Sequence, residues 1–318
     1  MMNRQPPATR SQPGDRAQLT THAAWICVFV ALTLCRSASA HVGDRVIPIY
    51  EVPSSDIPVI DDFSLFEWEN IVPEPSLESR DFSSLQIGSP SSADLATRIY
   101  LAWNMATQRL YMGMQQTDDV YINEYAGGDP PNFFGADYVE FFVDGDHTGG
   151  QYACGPPDGT AEQIKLYVGA QAQRYAVIAE APDAIVFGFE GFANGWASLP
   201  PWADVRIRKI GQDPAETQLE LYTTLWDNLN WNGPDASVRT LLQANNIIGM
   251  QIGIIDHDTP GSSGIRFSIS SLLERPPLVC FAENFVDARL VPCERGDCTQ
   301  ADASAVYADS WGRIKAGL

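Results

Sequence analysis

Apolar side chains recur at every second position through most of the chain, and that alternation constrains the fold more than any other feature. "RIYLAWN" sets Ile99, Leu101 and Trp103 on one side, and "RLYMGMQQ" does the same with Leu110, Met112 and Met114. The linker Met105–Arg109 is of hairpin length. "DYVEFFVD" directs Val139, Phe141 and Val143 one way and Tyr138, Glu140, Phe142 and Asp144 the other, because successive strand side chains point to opposite faces. "DVRIRKI", "TQLELYTTL" and "NIIGMQIGIID" continue the pattern, and "EQIKLYVGA" with "RYAVIAE" reads as a further hairpin. Helical spacing is best seen in "SVRTLLQAN" (237–245). Many short strands between turn signals predict an all-β chain: an antiparallel β-sandwich, jelly-roll or immunoglobulin-like, with few short helices.

The N-terminus reads differently. Residues 1–22 are polar with scattered arginines; "AAWICVFVALTLC" and the small-residue run "SASA" follow. That order is a secretory signal ending at Ala40, with an apolar core shorter than the ~20 residues of a membrane span. A secreted protein, extracellular or periplasmic, with a single domain over 41–318 is expected. Four arginines and one aspartate leave with residues 1–40, which moves the net charge from −20 to −23. So acidic a surface repels nucleic acid and anionic lipid and suits divalent cations or neutral ligands. The remaining cysteines are Cys154, Cys280, Cys293 and Cys298. In an oxidising compartment they predict two disulfides with three possible pairings, of which Cys293–Cys298 with Cys154–Cys280 is favoured. No C-x-x-C pair occurs, which argues against a thiolate zinc site.

"VIDDFSLFEW" (59–68), "RIYLAWNMATQRLYMGMQQTDD" (98–119), "ADYVEFFVDGDHTGG" (136–150) and "IIGMQIGIIDHD" (247–258) follow one another in the chain. Together they resemble the family 9 carbohydrate-binding module and its wider DOMON-like superfamily, over roughly 45–318 with an insertion near 268–303. The resemblance implies a non-catalytic β-sandwich that binds sugar ends, often with structural calcium. It also implies a ligand set. Phe134, three residues before the Asp-x-Val-Glu motif at Asp137, takes the place of an aromatic clamp that is usually Trp. Glu140 is the acceptor for sugar hydroxyls. Lys165 stands where the family has Arg, Gln251 is the polar residue of the Gly-rich strand, and Tyr307 is the second clamp. The expected partner is the end of an oligo- or polysaccharide.

Other residues suggest other chemistry. Asp144 and Asp146, with glycines at 145, 149 and 150, could curl around calcium and be joined by Asp118 and Asp119; a solvated turn is the competing reading. The twelve-residue spacing of an EF-hand is absent. Glycoside hydrolysis needs two carboxyl groups at a set separation, and nothing in the sequence singles out such a pair. Trp196 and Trp202 lie in the Pro-rich "GWASLPPWAD" and could stack on a sugar or pack on the sandwich edge. His41 at the mature N-terminus would suit copper only with a second His. Met112 and Met114 raise the alternative of a haem-binding electron-transfer domain, and "CERGDC" that of a structural or adhesive surface module.

Overall fold

The computed structural model describes residues 45–60, 65–72, 74–127, 135–152, 159–181, 185–189, 192–193, 195–270 and 280–293. The expected signal (1–40), His41, Phe134, Cys154, Cys298, Arg295-Gly296-Asp297 and Tyr307 lie outside them. In chain order the strands are β1 (Val46–Glu51), β2 (Leu77–Glu78), β3 (Leu95–Asn104), β4 (Arg109–Asp118), β5 (Tyr138–Asp144), β6 (Gln173–Val177), β7 (Ile185–Phe189), β8 (Phe192–Ala193), β9 (Ala203–Gly211), β10 (Ala215–Thr223), β11 (Trp226–Asn228), β12 (Val238–Arg239), β13 (Ile247–Asp256), β14 (Ile265–Ser268) and β15 (Val286–Val291). Two α-helices are described, α1 (Leu65–Ile71) and α2 (Ala161–Gly169).

The protein is all-β. One curled, mixed sheet runs β8-β7-β6-β5-β13-β15-β1-β3-β4-β10-β9, with β14 added on β13 and β2 on β3; β11 and β12 form a separate ribbon. Pairing within the main sheet is antiparallel except at β1, which runs parallel to both β15 and β3. The sheet curls so that the apolar faces of its two halves meet. Phe141, Met250 and Ile252 from one half share a core with Met112, Met114, Leu219 and Leu221 from the other. Polar bonds fix the closure: Gln173 on β6 donates to the Thr224 carbonyl at 3.1 Å and accepts from the Trp226 N–H at 2.8 Å. Met112 and Met114 are core residues.

The β3–β4 hairpin forms as the alternation predicts, with Leu95 opposite Asp118 and Asn104 opposite Arg109. Asn104 caps its turn by accepting from the Thr107 N–H at 2.8 Å. Helix α1 covers the other face of this hairpin. Trp68 lies flat on Gly113, and its indole N–H donates to Glu220 Oε1 at 3.2 Å.

Three expectations change. "EQIKLYVGA" is helix α2, not a strand. Thr160 and Gln163 close a capping box at its start, which satisfies two otherwise unpaired N–H groups. "SVRTLLQAN" is not a helix; Val238–Arg239 pairs with β11 instead. The stretch 268–303, read as an insertion, supplies β15 to the middle of the sheet between β13 and β1. Cys280 and Cys293 are each disulfide-bonded.

Candidate functional site

Strand β5 is buried along its whole length, on both faces. Val139, Phe141 and Val143 join the core; Tyr138, Glu140 and Phe142 face the other way. Glu140 has no exposed surface, and a carboxylate so placed requires charged partners. Neighbouring strands supply two. Arg174 on β6 stands opposite Phe142, diagonal to Glu140. Its Nε donates to Glu140 Oε1 at 3.1 Å, and its Nη2 donates to the same oxygen. Arg266 on β14 donates through Nη2 to Glu140 Oε2. It reaches over β13 at Gly253, which is registered with Glu140 on one side and Ser268 on the other. A Cβ at Gly253 would only touch Arg266 Cγ, at an ordinary contact distance of 3.9 Å.

Burial alone would raise the Glu140 pKa, but the two guanidiniums outweigh it and hold the carboxyl below its ordinary range. Burial works against both arginines too, and Glu140 pulls them up. All three groups are therefore ionised. The Arg174 guanidinium also lies 5.5 Å from the centre of the Phe142 ring, which packs against Tyr152 and Phe285. The face opens to solvent through the arginine side chains, 14 % exposed for Arg174 and 26 % for Arg266. Gln251 lies on the same face of β13, in register with Phe142. It is 1 % exposed, and neither its Oε1 nor its Nε2 has a hydrogen-bond partner. An unsatisfied buried polar group costs on the order of 1–3 kcal/mol.

A second cluster lies on the inward side. Asp118 ends β4, Asp137 precedes β5 and Asp256 ends β13. All three are buried, and one oxygen of each lies within 4.8 Å of the others; Asp256 belongs to a second such trio with Asp94 and Asp258. Backbone donors hold part of the set. His257 N–H donates to Asp137 Oδ1 at 2.7 Å, Ile122 N–H to Asp137 Oδ2 at 2.5 Å, and Val120 N–H to Asp118 Oδ1 at 3.0 Å. His257 Nδ1 lies 3.2 Å from Asp137 Oδ1. Asp118 Oδ2 and Asp256 Oδ1 are buried without a partner. Burial, then repulsion from Asp137, pushes Asp118 up to about 7. Burial, then Asp118 and Asp94, pushes Asp256 up to about 8. Burial raises Asp137 to about 7 against the pull of its two backbone donors. Carboxylates this close either retain protons or hold a cation.

Glu140 and Gln251, expected from the sequence, share the outer face. Lys165 does not stand on the strand beside β5: it belongs to α2, and the basic residue on that strand is Arg174. The expected ion loop is a turn closed on itself. Asp144 Oδ2 accepts from the Gly149 N–H at 2.7 Å, and Asp146 Oδ1 from the Thr148 hydroxyl at 2.7 Å. Asp118 sits with Asp137, and Asp137 and Asp144 stand at opposite ends of β5, about 23 Å apart at ~3.3 Å per residue. Asp118 and Asp144 therefore cannot share one ion. Asp119 belongs to neither trio. Sequence reasoning missed Arg174, Arg266, Asp137 and Asp256 as site residues. Arg174 carried one usable signal, an outward position on the strand following α2. Trp196 and Trp202 pack edge-on against buried Trp226, each with ring centres 5.2 Å from it.

No helix among the described residues is long and apolar enough to cross a membrane. No protein-family model and no curated protein matches the chain. Among solved structures it is similar to a family 9 carbohydrate-binding module from Caldicellulosiruptor kristjanssonii in complex with glucose. The identity is 14%, covering 78% of this chain and 97% of that one, with a TM-score of 0.46. The same module in complex with cellotriose gives 14%, 78% and 96%, with a TM-score of 0.46.

Proposed function

We propose that this protein is a secreted, non-catalytic carbohydrate-binding protein whose ligand docks on the face built by Glu140, Arg174, Arg266 and Gln251. The observation that carries the reading is Gln251, a buried amide with donor and acceptor both unmet, on the same face as a fixed carboxylate–guanidinium set. Sugar hydroxyls donate and accept at once, so they match an amide, and they meet guanidinium groups in charge-assisted hydrogen bonds. Phe134 and Tyr307 are assigned in this reading to the apolar faces of the sugar ring. Glu140 is poorly suited to glycoside hydrolysis: two arginines keep it ionised, which removes it as an acid, and occupy both its oxygens, which blunts it as a nucleophile. The export signal supports an extracellular saccharide ligand.

A structural calcium ion belongs to the same reading, on Asp118, Asp137 and Asp256 instead of the Asp144–Asp146 loop. Calcium takes six to eight oxygen ligands, and two partnerless buried oxygens are already present. Asp94 or Asp258 and water would complete the shell. Bound there, the ion supplies positive charge to carboxylates that otherwise repel.

Calorimetry against neutral and acidic mono- and oligosaccharides tests the reading. Saturable binding to at least one sugar, weakened in Gln251→Leu, is expected. A folded protein that binds no saccharide of either class defeats it.

A further inference from the structure

Strands β2, β3, β4, β10 and β9 lie side by side in the half of the sheet that does not hold Glu140. Their registers put Glu78, Arg98, Gln115, Gln218 and Arg208 in one row across all five. The row faces away from the core: Ile99, Met114 and Leu219, next to it in the chain, point inward, and neighbours on a strand point opposite ways. At ~4.8 Å between strands the row is about 19 Å long.

The side chains of the row all end in planar groups, and hydrogen bonds hold them in place. Arg98 Nη2 donates to Gln115 Oε1 at 2.8 Å, and Gln115 Nε2 donates to Glu216 Oε1 at 3.0 Å. Gln218 Nε2 donates to the same Glu216 oxygen, and Arg208 Nε donates to Gln218 Oε1 at 2.7 Å. At the near end Arg98 Nη1 reaches Glu69 at 3.4 Å, and Glu78 holds Arg80 at 2.7 Å. A cleft of about 420 Å³ opens at this end over Glu78, Arg98 and Gln115, with Arg80, Ala96 and Thr117 on its walls. Clefts of roughly 300–1,000 Å³ are the size that takes small ligands. Unlike Glu140, the members of the row are half-buried or exposed, so a ligand reaches them directly.

The chemistry of the row selects the ligand. Arg80 and Arg98 each come with a glutamate, so the cleft presents both signs in pairs and does not select on charge. Guanidinium, carboxylate and amide groups side by side offer donors and acceptors in turn, which matches hydroxyls. The bonds of Arg98 to Glu69 and Gln115 fix its plane and use two of its five N–H groups. Extended peptides dock by backbone pairing at a sheet edge; on a sheet face the backbone is spent between strands, and side chains alone read the ligand. Side chains already fixed by one another lose less freedom on binding. The length of the row suits a chain of rings better than one ring.

We propose that this row is a second binding surface, for the body of a neutral polysaccharide chain, with Arg98 and Gln115 taking its hydroxyls in the cleft. It rests on the carbohydrate reading above for the class of ligand alone; the residues, the strands and the face are different.

Titration calorimetry with glucose, mannose and xylose and with their linear hexasaccharides tests this on wild type, Gln251→Leu and Arg98→Ala. The expected result is that at least one hexasaccharide still binds Gln251→Leu, and that its affinity falls ten-fold or more in Arg98→Ala. A circular-dichroism melt checks the fold; Gln218→Ala, which cuts the row on another strand, should give the same fall if Arg98→Ala melts early. Hexasaccharide binding that is lost in Gln251→Leu, or unchanged in folded Arg98→Ala and Gln218→Ala, overturns this inference and leaves the carbohydrate reading standing. Binding that is lost in Arg98→Ala while no sugar responds to Gln251→Leu supports this surface and overturns the first. No binding of any probe overturns both.

Discussion

Asp256→Asn should stabilise the calcium-free protein at alkaline pH and abolish its response to calcium. Asp256 is raised to about 8 in the folded protein against ~3.9 in an unfolded chain. A raised pKa contributes stability that is complete below the unfolded value and is lost as pH climbs through the folded one. Between about pH 4 and pH 8 the calcium-free protein should therefore lose stability steadily. Four pKa units at ~1.36 kcal/mol each bound the Asp256 share at about 5 kcal/mol. Part of that is repulsion from Asp118, Asp94 and Asp137, so about 2 kcal/mol is expected for the single substitution. For a domain of this size that is a melting-point rise of about 4–8 °C. The assay is thermal melting followed by circular dichroism at about pH 5 and pH 8, in excess chelator and in millimolar calcium. In chelator at pH 8 the variant should melt above the wild type. In calcium the order should reverse, because an ion that binds only the folded state stabilises it by mass action. The reasoning fails if chelated wild type melts at one temperature at both pH values, or if Asp256→Asn lowers the melting point in chelator at pH 8.

Gly113→Ala places a Cβ 2.5 Å from Trp68 Cε2, against a fully buried indole; urea titration should show a loss of about 1–3 kcal/mol, as for other overpacked cores. Glu140→Gln leaves Arg174 and Arg266 without their carboxylate, so a stability loss of about 3–5 kcal/mol and loss of sugar affinity in the fraction that stays folded are expected, read by calorimetry beside a melt. Non-reducing peptide mapping should recover Cys154 joined to Cys280 and Cys293 to Cys298, and Cys280→Ala should cost about 2–5 kcal/mol; a free Cys154 thiol would overturn that pairing.

The long alternating strands were legible because their apolar positions recur without interruption: β3, β4, β5 and β13 fall where the pattern places them. Helix α2 was missed for a reason in its own residues. Ile164, Leu166 and Val168 alternate like a strand, yet Ile164 and Val168 also stand four apart, as on one helix face, and over so short a window the two periods coincide. The Thr160–Gln163 capping box decides the case, and it was present to be read. The opposite error at 237–245 has the same root. Val238, Leu241 and Leu242 have helical spacing, but Val238 and Leu241 are exposed, so no apolar face holds a helix there. Alternation placed Glu140 opposite the core face of β5 but could not show that this second face is buried as well. Its partners come from 34 and 126 residues away, and no local pattern joins residues at such separations.

The two clusters are mounted on the same pair of strands, and this bears on how the face is held. Asp137, just before β5, and Glu140 are three residues apart; Asp256 and Gly253 stand in the same relation on β13, where Gly253 is registered with Glu140. Any shift of these strand ends that relieves carboxylate repulsion also moves the register on which Arg266 crosses Gly253 to reach Glu140. β14 depends on β13 most directly, since Asp256 is registered with Ile265, the residue before Arg266. A cation on the inward cluster would fix the ends of β4, β5 and β13, and so fix the outward carboxylate and guanidinium at their working spacing. Planar recognition of this kind tolerates little misplacement, because a fork that misses by about 1 Å loses much of its gain. In the proposed reading, calcium therefore acts on affinity through position, without touching the ligand.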